Sequence, residues 1–358
     1  MKTKVRLFDI YFFLITLFKG LGAESNNNWY LLAFIIGCIA VGSKVSRDKF
    51  TIGEIRALSI LVAVGLLDFV IGHSTTILFT AIAFCGLKKC DTNHLIKIAF
   101  WTRFFTFVAL FFMSMIGIIK NNTLLFWRNG TLINRYSFGY SYPNMAQASL
   151  TIIIILCLYL YGEKFHIWHY VFIIAIDYAF YRFTYSRTGF LIGIVCVLFD
   201  FAIKNDKIRK FLMLIFKNSY WLFFALTVLG GLLYGKTALL SKLDTILTGR
   251  LQYISILLKT EIPPLIGSNK YNTFVNIDNG YIALLYEGGL IAFIWFSYYI
   301  TRAIKKAYRD ENYKKFFFVL DFMLFAMTES FFPSVAVNTS LLFVGDILFN
   351  KKQVLHNE

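Results

Sequence analysis

Apolar residues fill long blocks along almost the whole chain, and short clusters of Lys, Arg, Asp and Asn separate them. Blocks of about 16 to 20 residues match the ~30 Å hydrocarbon thickness of a bilayer when wound as helices. The strict alternation of a membrane β-barrel is absent. Read with a window of about 19 residues, the pattern predicts about twelve spans. They fall at roughly 5–20, 29–43, 54–72, 75–87, 95–119, 145–161, 167–184, 188–203, 218–235, 280–301, 316–331 and 335–349. The expected fold class is therefore all-α, a polytopic integral membrane protein with about twelve transmembrane helices. A single membrane domain takes up residues 1–358. The first apolar run, 7–21, has no small-residue cleavage site and reads as a span rather than a signal peptide.

Charge then orients these spans. The net charge is +16. In a soluble protein such an excess points to nucleic acid, but here Lys and Arg flank the spans and set topology. With the N-terminus inside, about 24 basic residues fall on cytoplasmic segments and about 11 outside. The cytoplasmic clusters include Lys44, Arg47 and Lys49; Lys204, Lys207, Arg209 and Lys210; and Arg302, Lys305, Lys306 and Arg309. Both termini are expected in the cytoplasm, and Arg103 lies within a span. Two outer segments are long, about 120–144 and 236–279; the second precedes helix 10. It opens with Leu239, Leu243, Ile246, Leu247, Ile254, Leu257 and Leu258 at helical spacing, which predicts a helix on the membrane surface or capping the spans. Pro263 and Pro264 end it.

Composition adds little to this picture. Hydrophobic residues make up 58% of the chain and charged residues 16%, too apolar a balance for a soluble domain. Cys38, Cys85, Cys90, Cys157 and Cys196 lie in spans or on the cytoplasmic side, with no disulfide position outside and no metal-ligand spacing. Aromatic residues reach 19%. Most suit lipid-facing packing and interfacial belts, while the outer Tyr136, Tyr140 and Tyr142 are positioned to stack on sugar rings.

The outer basic residues break the orientation rule and so need a reason. Arg128, Arg135, Arg182, Arg187 and Arg250 are the principal ones. A guanidinium grips phosphate oxygens in a planar fork and stays charged when partly dehydrated, so converging arginines suit a diphosphate-linked lipid. The alternative is contact with anionic headgroups or with Asp and Glu. A proton acceptor on the same face must come from carboxylates. His94, His166, His169 and His356 fall on the cytoplasmic side, and only His73 is outside. Asp278 stands at the mouth of the tenth span, where it is either the helix N-cap or a base, with Asn279 as its positioning neighbour. Glu287, about two turns deeper, and Glu329, near the outer end of the eleventh span, remain alternatives. Asp68 and Asp177 also qualify as intramembrane candidates, with a hydrogen-bonded structural role equally open.

At these residues the chain resembles the Wzy-type polysaccharide repeat-unit polymerases, in the wider group that includes O-antigen ligases. Four pieces carry the resemblance over roughly 130–345. Arg135 to Leu150, with Tyr142-Pro143-Asn144, is similar to the family's Arg…Gly-Phe-x-His-Pro-Asn segment. Ser186 to Leu191 resembles its Ser-Arg-Thr-Gly segment. Arg250 with Gly267 fits its Arg…Gly pattern. Asp278 to Phe293 resembles the (His or Asp)-Asn-x-Tyr…Gly motif after the large outer loop. Tyr142 stands where the family has histidine, Ser268-Asn269 replaces a Gly-x-Gly ending, and Asp278 occupies the position of the ligases' histidine.

The resemblance implies a metal-independent glycosyltransferase of the outer face, without a cofactor. Its donor and acceptor would be glycans on undecaprenyl diphosphate, with Asp278, Arg250 and Arg187 in the chemistry. Arg135, Arg182, Tyr142, Asn144, Asn279 and Glu329 would bind substrate. A flippase and a chain-length regulator are the implied protein partners, alongside the lipid bilayer and with no nucleic acid. Two readings compete. A ligase would hand glycan to a different acceptor. A transporter or flippase would also suit about twelve spans, but the chain shows no internal repeat. Its Phe-, Ile- and Asn-rich composition fits a low-GC bacterium and a capsule rather than lipopolysaccharide.

Overall fold

The computed structural model describes residues 7–23, 28–128, 130–268 and 278–349. Asn269 and His356, singled out above, lie outside the described residues, as does the side chain of Arg128. The chain is mostly helical. In the first half lie α1 (Leu7–Gly20), α2 (Asn28–Val45), α3 (Ile52–Leu67), α4 (Thr76–Gly86), α5 (Thr92–Met115), α6 (Pro143–Tyr161), α7 (Ile167–Thr184) and α8 (Arg187–Ala202). In the second lie α9 (Asp206–Phe216), α10 (Ser219–Leu233), α11 (Ala238–Ile246), α12 (Arg250–Thr260), α13 (Gly280–Tyr286), α14 (Gly289–Arg309), α15 (Tyr313–Phe325) and α16 (Gly345–Leu348). Between α5 and α6, β1 (Thr123–Arg128) pairs antiparallel with β2 (Thr131–Tyr136).

Among the described residues four helices are long and apolar enough to cross a membrane: Asn28–Val45, Ile52–Gly72, Thr92–Met115 and Pro143–Lys164. The pair α9 and α10, bent by 58°, makes a fifth if taken as one span. The expected twelve runs therefore do not all form full-length helices, and the reason is visible in the chain. The run over 280–301 breaks at Glu287-Gly288-Gly289, where Gly289 takes φ +82 and a Cβ would overlap the backbone of Ile266 and Gly267. The extended stretch before it satisfies the new helix start: Pro264 and Leu265 carbonyls accept from the Leu290 and Ile291 N–H groups at 2.8 and 3.2 Å. Such pairing is what lets non-helical backbone sit inside an apolar assembly. The last run, 335–349, becomes a 3-10 turn, Thr339–Val344, followed by the short α16.

Apolar side chains cover the outer faces of the long helices. Trp29, Ile39, Phe105, Trp168 and Phe172 are all more than half exposed, an arrangement that fits hydrocarbon surroundings and not water. Helix α6 is different. It is apolar all round and buried over most of its length, packed against α5, α7, α8 and α15. Because lipid is as apolar as the core, close packing rather than water exclusion holds these helices together. Gly189 shows how: a Cβ there would press into Gln147, so glycine lets α8 approach α6. The N-terminus of this central helix opens onto the site described next.

The loop over 236–279 also departs from expectation. Instead of one amphipathic helix, α11 and α12 meet at a break over Leu247-Thr248-Gly249, with Thr248 and Gly249 at φ 59 and 85. Asp244 accepts from the Leu251 N–H at 2.8 Å and so caps α12. Helix α12 lays Leu251, Ile254 and Leu257 against the bundle beside α10.

Candidate functional site

Three separate elements deliver arginines to one pocket of about 200 Å³. Arg135 comes from β2, Arg187 is the first residue of α8, and Arg250 is the first residue of α12. Among the described residues Asp278 is the only carboxylate lining the pocket, with Glu329 close behind Arg250. Asn144, at the start of α6, completes the polar wall. A larger cavity of about 540 Å³ adjoins this pocket and shares Arg135, Asn144 and Asp278 with it. Tyr142, Glu287, Glu329 and Arg103 also line the larger cavity.

The arginines are held differently. Arg135 donates through Nε to the Thr184 carbonyl at 2.8 Å and through Nη2 to Asn144 Oδ1 at 2.5 Å. Thr184 is itself fixed: its hydroxyl donates to Gln147 Oε1 at 2.8 Å, and Gln147 Nε2 donates to buried Asp177 at 2.7 Å. Arg250 is buried. Its Nη1 donates to the Leu247 carbonyl and the Thr248 hydroxyl, and its Nε to the Asp278 carbonyl at 3.2 Å. Its Nη2 lies 3.4 Å from both Asp278 Oδ2 and Glu329 Oε1. Arg250 thus joins the loop helix to two acids. Arg187 is half-buried, and among the described residues no hydrogen bond or ion pair engages its guanidinium.

Two helix N-termini reinforce the positive character. Helix α6 begins at Pro143 with no side-chain cap from Tyr142, and α8 begins at Arg187 with no side-chain cap from Ser186. Uncapped N–H groups and the positive end of the helix dipole favour an anion there. Together with the arginines, this geometry can neutralise a doubly charged group such as a diphosphate.

The carboxylates divide into two roles. Asn279, not Asp278, is the N-cap of α13: its Oδ1 accepts from the Tyr281 and Ile282 N–H groups, both at 3.1 Å. The Asp278 side chain is left to face the pocket, half-buried, beside Arg250. Withdrawal from water raises its carboxyl above the ordinary range, and the Arg250 guanidinium opposes that shift. Asn279 is buried, and its Nδ2 donates to the Met327 carbonyl at 2.8 Å. Its side chain is therefore committed to holding α13, and it lines neither cavity. Asn279→Ala is expected to cost roughly 1–3 kcal/mol by leaving helix N–H groups without their buried acceptor. A thermal unfolding midpoint of the detergent-purified protein measures this, and an unchanged midpoint would remove the role.

Other expected residues fall less well. Arg182 is exposed and donates to the Tyr178 hydroxyl at 3.3 Å, and it lines neither cavity. A residue five places before Arg187 points elsewhere because α7 ends at Thr184 and the chain turns at Tyr185, in the left-handed region. Tyr142 is 56% exposed on the cavity wall, free to pack on a sugar face. Glu287 is not two turns inside a continuous helix but at the break between α13 and α14. Lys19 and Arg103 also line the larger cavity, although the sequence had marked neither for the site. An arginine in mid-span was the available signal for Arg103. Its Nη2 donates to the Ala336 carbonyl at 2.6 Å.

The chain matches no family model, no curated protein and no solved structure.

Proposed function

We propose that the chain is a Wzy-type repeat-unit polymerase of a bacterial cell membrane, joining oligosaccharides carried on undecaprenyl diphosphate. The observation that carries this reading is the meeting of Arg135, Arg187, Arg250 and Asp278 around one pocket that adjoins a cavity large enough for several sugar rings. In this reading the donor's diphosphate lies among the arginines and the α6 and α8 N-termini. The acceptor's terminal sugar enters from the larger cavity. Its hydroxyl oxygen forms a bond to the donor's anomeric carbon. The bond from that carbon to the diphosphate oxygen breaks, and the electron pair leaves with the diphosphate. The hydroxyl proton passes to Asp278. Charge building on the leaving group meets guanidinium groups already in position, which is the larger catalytic contribution.

The test in cells is direct. Removing the protein from its host should leave single lipid-linked units and no long surface polymer. Loss of all surface glycan, including single units, would favour the flippase alternative instead. Unchanged polymer that is no longer attached to its acceptor would favour the ligase.

The reading also carries a topology of about twelve spans with both termini in the cytoplasm. A cysteine replacing Lys242 should react with an impermeant thiol reagent in intact cells, and one replacing exposed Lys305 should not. Labelling at 305 in intact cells would overturn the orientation.

A further inference from the structure

Two helix breaks meet at one wall of the larger cavity. The first is a π-helical turn, Asp68–Gly72, at the end of α3. The second is the Glu287–Gly289 break between α13 and α14. The extended stretch reaching Gly267 runs between them. A Cβ at Gly267 would overlap both Asp68 Oδ1 and the Glu287 carbonyl oxygen, and a Cβ at Gly72 would overlap Asp68 Oδ1 and press on the Gly267 carbonyl. Asp68 Oδ1 and the Glu287 carbonyl oxygen therefore pack closely on the Gly267 backbone, and the Gly267 carbonyl lies beside Asp68 at Gly72. While Asp68 is ionised all three are acceptors, and acceptors cannot hydrogen-bond one another.

Asp68 is fully buried and faces the cavity, yet among the described residues neither of its oxygens has a hydrogen-bond partner of acceptable geometry. The Ser74 hydroxyl is the one side-chain group that approaches it. The charged neighbour is another acid, Glu287, and among the described residues no Lys, Arg or His side chain acts on either carboxyl. Burial penalises an ionised carboxylate here, and a positive partner entering from the cavity would offset that penalty. Carboxylate and carbonyl oxygens, with no sulfur or imidazole, are the ligand set of hard cations. Unwound backbone at broken helices supplies carbonyls in this way.

We propose that Asp68 and Glu287, with the Gly267 and Glu287 carbonyls, form a site for one hard metal cation that enters from the cavity. The cation clamps the end of α3 to the α13–α14 break and so holds the cavity wall. This site stands apart from the arginine pocket and does not depend on the polymerase reading. Sodium and calcium share the required chemistry, and the test separates them.

The full-length protein in detergent is unfolded thermally in choline chloride, and then with NaCl, CaCl2 or MgCl2 at matched ionic strength. One of the three metals should raise the midpoint saturably, and choline should not. Asp68→Asn and Glu287→Gln should each weaken the half-saturating concentration by about tenfold or more, because binding to the folded state alone is what raises the midpoint. Arg309→Lys, far from the site in sequence and exposed, should respond as the wild type. Equal midpoints in all four salts would overturn the proposal, as would a wild-type response in both acid variants. If Asp68→Asn fails to fold, equilibrium binding of radioactive sodium and calcium to Glu287→Gln decides: retained binding at wild-type affinity overturns the site, and lost binding supports it.

Discussion

Arg187→Lys is expected to remove most polymer, about 100-fold, while the protein stays in the membrane at its normal level. The argument rests on how the three arginines are held. Arg135 is committed to Thr184 and Asn144, and Arg250 to Asp278, Glu329 and the turn before its own helix. Arg187 alone of the three has no such engagement among the described residues, so its fork is the one most available to an incoming diphosphate. Lysine keeps the charge but offers a single ammonium instead of a planar pair of donors. Little packing is lost, because Arg187 is half-buried at the first turn of α8. Arg250→Lys should also lose polymer, but with lower protein stability, since it breaks the tie between the loop helix and two acids. A glycan blot alongside a protein blot separates the two effects. Normal polymer from Arg187→Lys would remove the diphosphate role from this residue.

Asp278→Asn should collapse polymer to single repeat units, a loss of about 100-fold to 10,000-fold if it is the proton acceptor. Protein level should be unchanged, because Asn279 and not Asp278 supplies the cap of α13. The pH dependence follows from the same group. A base must be deprotonated, and burial raises this carboxyl above its ordinary range. Wild-type activity should therefore rise with pH through that raised value and fall below it. For stability the sign is opposite: a folded state that holds the proton more tightly has this contribution in full below the carboxyl's ordinary value and loses it as pH rises through the raised one. Near-normal polymer from a well-expressed Asp278→Asn protein would pass the role to Glu329 or Glu287, which line the same cavity.

Much of this was legible in the chain, and the failures have physical causes. Helical composition and the apolar blocks were readable because hydropathy integrates over many residues. The number of full-length helices was not, because a glycine pair at Gly288-Gly289 breaks a run without changing its hydropathy. The hairpin of β1 and β2 went unread inside a long outer loop. Its signal was present: Asn129-Gly130 sits between two short runs rich in Leu, Phe and Ile, with Gly130 at φ +78. The convergence of Arg135, Arg187 and Arg250 was expected from assigning all three to the outer face. That argument cannot separate Arg187 from Arg182, since a single turn at Tyr185 decides which of them meets the pocket. The cap of α13 falls one residue past Asp278, as Asp and Asn serve equally well and only the backbone decides. The isolation of Asp68 was beyond sequence, because it depends on what three distant segments leave unpaired.

The most direct test is reconstitution. Purified protein in lipid vesicles is given one synthetic repeat unit on undecaprenyl diphosphate, with no other protein. A ladder of products lengthening by one repeat, with release of undecaprenyl diphosphate in equal amount, is the predicted result. Unaltered single units, carried across the vesicle membrane without any new glycosidic bond, would contradict the account.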